Sequence, residues 1–207
     1  MRSLQKSEQT QRPSLTGRSF FARMHWYKTY VMEQIKLNQS YNLDTTYVIK
    51  FFDYTDIHGL TDSWIVRNSI FMNGTVAAGV MEPFLCCYFK NLKWVKGCND
   101  YDMIAEDSQE RYGTSEKLLD HKGFTHASAG QFSRSKYQGT QREQASPDQL
   151  AKDSSEKIFV FTSYTSFPEI EIVFRKGSDL LKQFPNGKIS HAQHDTLFCG
   201  ERIYHTR

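Results

Sequence analysis

The chain has 207 residues, of which 39% are hydrophobic and 14% aromatic, and a formal charge of +3. One compact unit of that length buries roughly 70% of its unfolded surface, so size does not exclude a real core. The small charge gives no overall basic excess of the kind a dedicated nucleic-acid domain carries, and the longest apolar run, Val76 to Phe89, is broken by Glu82 and Pro83 and falls short of the roughly 18 residues of a membrane span.

The charge is unevenly placed. Residues 1–36 hold seven basic side chains against two acidic ones, so the whole positive excess lies at the N-terminus. Residues 1–17, rich in Ser, Gln, Thr and Arg without apolar periodicity, read as a flexible tail. Phe20, Met24, Tyr27, Val31 and Ile35 then recur every three or four positions and predict an amphipathic helix ending near Leu37.

Thr45 to Phe52 and Ser63 to Met72 are β-branched and aromatic and predict strands. Asn73-Gly74 suits a type I′ turn and predicts a hairpin returning through Thr75 to Val80. Pro83 fits the first turn of a helix carrying Phe84, Leu85, Tyr88, Phe89, Leu92 and Val95 on one face, with Gly97 to close it, although the aromatics also fit the period of a strand.

Asn99 to Lys157 is dominated by Ser, Gln, Gly and charge, and is expected to stay outside the core as an insertion or linker. Within it, short helices are expected near Ser115 to His121 and after Ser146-Pro147, and a flexible loop at Gly130 to Gln144. Lys157 to Tyr164 and Glu169 to Arg175 predict alternating strands joined around Phe167-Pro168. A short helix over Ser178 to Phe184, a turn at Pro185-Asn186-Gly187 and a last strand within Thr196 to Tyr204 complete the chain. The expected architecture is α+β: an antiparallel sheet drawn from residues 18–98 and 158–207, an N-terminal amphipathic helix, and the polar insertion 99–157.

Three sets of residues suggest chemistry. Asp56-Ile57-His58-Gly59, following an apolar strand, resembles the first metal-binding motif of calcineurin-like metallophosphoesterases. The resemblance implies that Asp56 and His58 hold one of two divalent metal ions, which together generate a hydroxide and clamp a phosphoryl group. It covers four residues, and the family's Gly-Asp, Asn-His-Asp/Glu and Gly-His-x-His elements have no counterpart in the chain. His191, His194 and Cys199, with Asp195 and His205 nearby, offer nitrogen and sulfur ligands suited to zinc, although their spacing is not that of a zinc finger. No Gly-x-Ser-x-Gly, Gly-x-Gly-x-x-Gly or phosphate-loop pattern occurs.

The third set is the basic aromatic segment with Arg18, Arg23, Trp26, Tyr27 and Lys28. It admits contact with an acidic partner or membrane surface, stacking and phosphate contact with nucleic acid, or mitochondrial targeting. The four cysteines form no evenly spaced framework, so an intracellular, cytoplasmic setting is expected. The expected function is that of a non-enzymatic binding or assembly subunit with a protein partner and no cofactor. A metal-dependent phosphoesterase at Asp56 and His58 and a nucleic-acid-binding protein are the alternatives.

Overall fold

The computed structural model describes residues 40–50, 71, 74–90, 92–95, 101–105, 118–126, 130–133, 135–138, 141–144 and 146–205. The expected N-terminal helix lies outside the described residues, as does the expected strand from Ser63 to Met72 apart from Phe71. The elements in chain order are β1 (Thr45–Lys50), α1 (Gly74–Tyr88), β2 (Leu92–Trp94), β3 (Met103–Ala105), β4 (Leu118–Phe124), β5 (Ser135–Gln138), β6 (Gln141–Gln144), α2 (Pro147–Glu156), β7 (Lys157–Ser163), β8 (Glu169–Lys176), α3 (Gly177–Gln183), α4 (His194–Leu197, preceded by a 3-10 turn at His191–Gln193) and β9 (Glu201–His205).

Seven of these strands form one sheet in the order β2-β3-β4-β7-β8-β1-β9, and β5 pairs with β6 as a separate hairpin. Strands from both chain halves meet in it, as expected, but the sheet is mixed rather than antiparallel. β4 runs parallel to β7, and β1 parallel to β9, while the remaining neighbours are antiparallel. Each parallel pair is the product of a crossover: β5, β6 and α2 intervene between β4 and β7, and almost the whole chain lies between β1 and β9.

Strand alternation feeds two cores. On β7, Ile158 and Val160 point to one face and Phe159 and Phe161 to the other; on β8, Ile170, Ile172 and Phe174 oppose Val173. The first face carries α1, through Ala77, Met81, Phe84, Leu85 and Tyr88, and the aromatic cluster of Tyr41, Tyr47 and Phe89. The second collects Leu150 of α2, Leu180 of α3 and Leu197 of α4 with Phe124, Phe132, Phe184 and Phe198. A strand buried on both faces reads as a continuous apolar run, which is why β7 and β8 are plain in the sequence.

Three local expectations are corrected. The Asn73-Gly74 hairpin gives way to α1, which starts at Gly74 and takes Thr75 to Val80 into the helix with Pro83 inside it. Its buried positions 77, 81, 84, 85 and 88 follow the helical period, and that period outweighs the turn signal of one dipeptide. Leu92 is not on a helix but in β2, because α1 ends at Tyr88. Of the stretch near Ser115 to His121, expected to be helical, Leu118 to His121 lie in β4, and 115–117 lie outside the described residues.

The polar stretch is the larger correction. β3 and β4 lie inside the sheet, and Met103, Ala105, Leu119, Phe124, Phe132 and Leu150 are all buried. Gly130 is packed against Phe124 and Phe161 rather than lying in a loose loop. Few apolar residues suffice when each falls on an inward position and the polar ones between them find partners: the backbone N–H of His121 donates to Asp102 Oδ2 at 2.7 Å, and Lys122 pairs with Asp120. The helix after Ser146-Pro147 is present as α2, with Ser146 Oγ accepting from Gln149 N at 3.2 Å. No helix among the described residues is long and apolar enough to cross a membrane.

Candidate functional site

Arg18, Arg23, Trp26, Tyr27, Lys28, Asp56 and His58 lie outside the described residues. His191, His194 and Cys199 are described, and the fold does not converge them on one point. His191 Nε2 meets the carbonyl of Thr125 at 2.8 Å, with its ring edge-on to Phe124. Cys199 is exposed, and its Sγ accepts from Arg175 Nη1 at 3.2 Å. Among the described residues, no three His, Cys, Asp or Glu side chains are placed to hold a metal ion.

His194 instead anchors an ion-pair cluster between α4, β7, β8 and β9. Its Nε2 lies 2.9 Å from Ser163 Oγ and 3.2 Å from Glu171 Oε2, and its Nδ1 lies 3.0 Å from Asp195 Oδ1. The ring is stacked on Phe198 and edge-on to Phe124. The second oxygen of Glu171 accepts from Arg202 Nη1 at 2.6 Å. Beside it, the buried Arg175 donates to Leu197 O at 3.3 Å and Gln183 Oε1 at 3.0 Å, and its Nε lies 3.0 Å from Asp44 Oδ1. These contacts tie the approach to β1, the end of α3 and the α4–β9 connection to the second face of the sheet.

Ser163, His194 and Asp195 have the connectivity of a serine nucleophile, its base and an orienting carboxylate. Their electrostatics give a different role. A hydrogen bond to Glu171 raises the pKa of His194 against the opposing effect of burial, and Asp195 adds to the rise. The same bond favours the protonated imidazole, a poor base for Ser163, whose residue is only 1% exposed and so is closed to an incoming acyl group. The cluster is a charged lock rather than a nucleophilic site.

Glu171 completes the lock. Burial alone would push its carboxyl up, but the hydrogen bond from His194 and the charge of Arg202 outweigh that and hold it below the usual carboxylate range. His194, with its folded pKa raised, contributes fully below its unfolded value near ~6.5, and this is lost as pH rises through the folded value. Glu171, with its folded pKa lowered, contributes fully above its unfolded value near ~4.3, and this is lost as pH falls through the folded value. Glu171→Gln is therefore expected to cost about 1–2 kcal/mol between those limits, after allowance for the partial exposure of Arg202, and less outside them. Urea unfolding of both proteins across pH measures this; a difference independent of pH contradicts the lock.

A second buried network lies on the α1 side. His121 Nε2 is 2.7 Å from Thr162 Oγ1, which in turn donates to Tyr164 Oη at 2.7 Å, and His121 Nδ1 is buried without a hydrogen-bond partner. Burial, aided by the Lys122 charge, pushes the His121 pKa down to about 3. Burial likewise raises Tyr164, and burial with the neighbouring Asp120 raises Asp102.

β9 carries the remaining feature. It ends the sheet, and among the described residues no strand pairs with its outer edge. Gly200, at φ 92°, turns the chain into it where any Cβ would strike the carbonyl of Asp44. Ile203 packs against the first core and His205 lies over Tyr47 and edge-on to Tyr88, while Glu201, Arg202 and Tyr204 are exposed, Tyr204 by 66%.

Sequence reasoning singled out His194 but missed Glu171, Ser163, Arg175 and Arg202. The available signal was Glu171 and Arg175 on the same side of an otherwise apolar strand as Val173, where charge survives only when paired. Comparison with known proteins gives no match: no family model, no curated protein and no solved structure aligns with the chain.

Proposed function

We propose that the protein is a non-enzymatic binding or assembly subunit and that the outer edge of β9 is its contact surface. The observation that carries this is Tyr204, 66% exposed on the strand that ends the sheet. An edge strand offers unpaired main-chain donors and acceptors, and proteins usually blunt such edges with proline, bulges, lysine or a covering segment. β9 reads Glu-Arg-Ile-Tyr-His, with no proline or lysine. An extended segment laid along it gains main-chain hydrogen bonds, and the alternate side chains give it specificity. Tyr204 supplies large, rigid contact area at small entropic cost.

The basic aromatic segment with Arg18, Arg23, Trp26, Tyr27 and Lys28 is, in this reading, a second contact surface, supported by its composition. Of the polar insertion, the β5–β6 hairpin, paired outside the seven-stranded sheet, is in this reading a further contact surface. Four cysteines without an evenly spaced framework favour an intracellular, cytoplasmic setting in this reading.

Photo-crosslinking tests the proposal. Tyr204→p-benzoylphenylalanine in the full chain is expected to give a polypeptide adduct, and Lys152→p-benzoylphenylalanine, on the exposed side of α2, much less. Equal yields at the two positions overturn the contact edge. Turnover of a simple phosphoester with a divalent metal, lost in Asp56→Ala and His58→Ala, overturns the non-enzymatic reading.

A further inference from the structure

The geometry points to a second copy of this chain as the partner on β9, the two β9 strands pairing antiparallel about a two-fold axis perpendicular to the sheet. This rests on β9 being a contact edge and names what occupies it.

The strand's own sequence makes it self-complementary. A two-fold axis normal to the sheet keeps each face on its own side, so odd-numbered residues oppose odd ones and even oppose even ones. Ile203 and His205 face the α1 side, with Glu201 by alternation, whereas Arg202 reaches Glu171 on the other face and Tyr204 lies with it. In the register centred on Ile203, Glu201 opposes His205 of the second copy, Arg202 opposes Tyr204, and Ile203 opposes itself.

Every residue of the strand is then paired, and no like charges meet. The carboxylate faces an imidazole, and the guanidinium faces an exposed phenol ring, a favourable arrangement of cation and aromatic face. Slipping by two residues toward the N-terminus sets Arg202 against Arg202. Slipping the other way leaves only Ile203, Tyr204 and His205 opposed to residues of the other β9. The centred register joins the two seven-stranded sheets into one and pairs both β9 edges, which have no other strand beside them among the described residues.

Sedimentation velocity of the full chain is expected to show a 24.1 kDa monomer passing to twice that mass as concentration rises. Tyr204→Lys, at an exposed position, sets a lysine against Arg202 twice per dimer and should weaken association about tenfold or more; Tyr204→Glu, which sets an acid there, should not. Under mild oxidation Ile203→Cys, on the axis, should yield a symmetric disulfide dimer and Tyr204→Cys should not. A monomer at every concentration overturns the proposal, as does a dimer indifferent to both charge substitutions. The benzophenone at Tyr204 separates this from the underlying reading. An adduct of two chains supports the second copy. An adduct formed only with a different polypeptide overturns the second copy and leaves β9 a contact edge, and no adduct overturns both.

Discussion

Phe174→Ala is expected to lower the unfolding free energy by about 3–5 kcal/mol, the loss that accompanies truncation of a buried aromatic side chain. Phe174 has no exposed surface and joins three parts of the first core. Tyr41, before β1, is stacked on it with centroids 4.4 Å apart; Phe89, just past α1, meets it perpendicular at 4.8 Å; Tyr47 of β1 meets it perpendicular at 6.5 Å. These rings fix the two ends of the chain together, because Tyr41 and Tyr47 come from one half and Phe174 from the other. Phe174→Leu keeps most of the volume and is expected to cost about 1–2 kcal/mol. Equilibrium denaturation at neutral pH measures both, and a loss from Phe174→Ala no larger than that from Lys152→Ala would contradict the shared core.

Acid should expose the second large effect, at His121. In the folded chain its imidazole stays neutral down to about 3, whereas in the unfolded chain it takes a proton near ~6.5. Below that value the unfolded state binds a proton the folded state refuses, so stability falls as pH falls. The loss is about 1.4 kcal/mol per pH unit, reaching roughly 2–3 kcal/mol by pH ~4.5. His121→Gln keeps a polar group within reach of Thr162 and does not titrate, so its stability relative to the parent should improve by that amount between pH ~7 and ~4.5. Parallel pH profiles for the two proteins would show that His121 is not buried neutral. His194 works in the opposite sense: its contribution is complete in mild acid and declines toward alkaline pH.

The contrast between the two histidines shows how far the sequence is legible. His194 stood out because it sits among other potential ligands, yet what gives it a role is Glu171, distant in sequence and brought to it by β8. His121 gave no signal, since Leu-Leu-Asp-His-Lys-Gly-Phe reads as a polar segment until β3 and β7 flank it. β1, β7 and β8 were evident because alternation and burial on both faces leave a dense apolar pattern. The second half of α1, from Pro83 to Tyr88, is legible as a helix, whereas the strong turn signal of Asn73-Gly74 hides its first half, and only packing of Ala77 and Met81 on the sheet decides for the helix there. The parallel pairing of β1 with β9 is a long-range event, and no local pattern in either strand encodes it.

The pairing of β9 with β9 of a second copy is tested most directly by amide hydrogen exchange along Glu201–His205 as the protein is concentrated. Protection of alternate β9 amides that rises with concentration, while Leu92–Trp94 at the opposite end of the sheet exchanges unchanged, is the predicted result. Exchange at β9 that is identical from dilute to concentrated solution would contradict it.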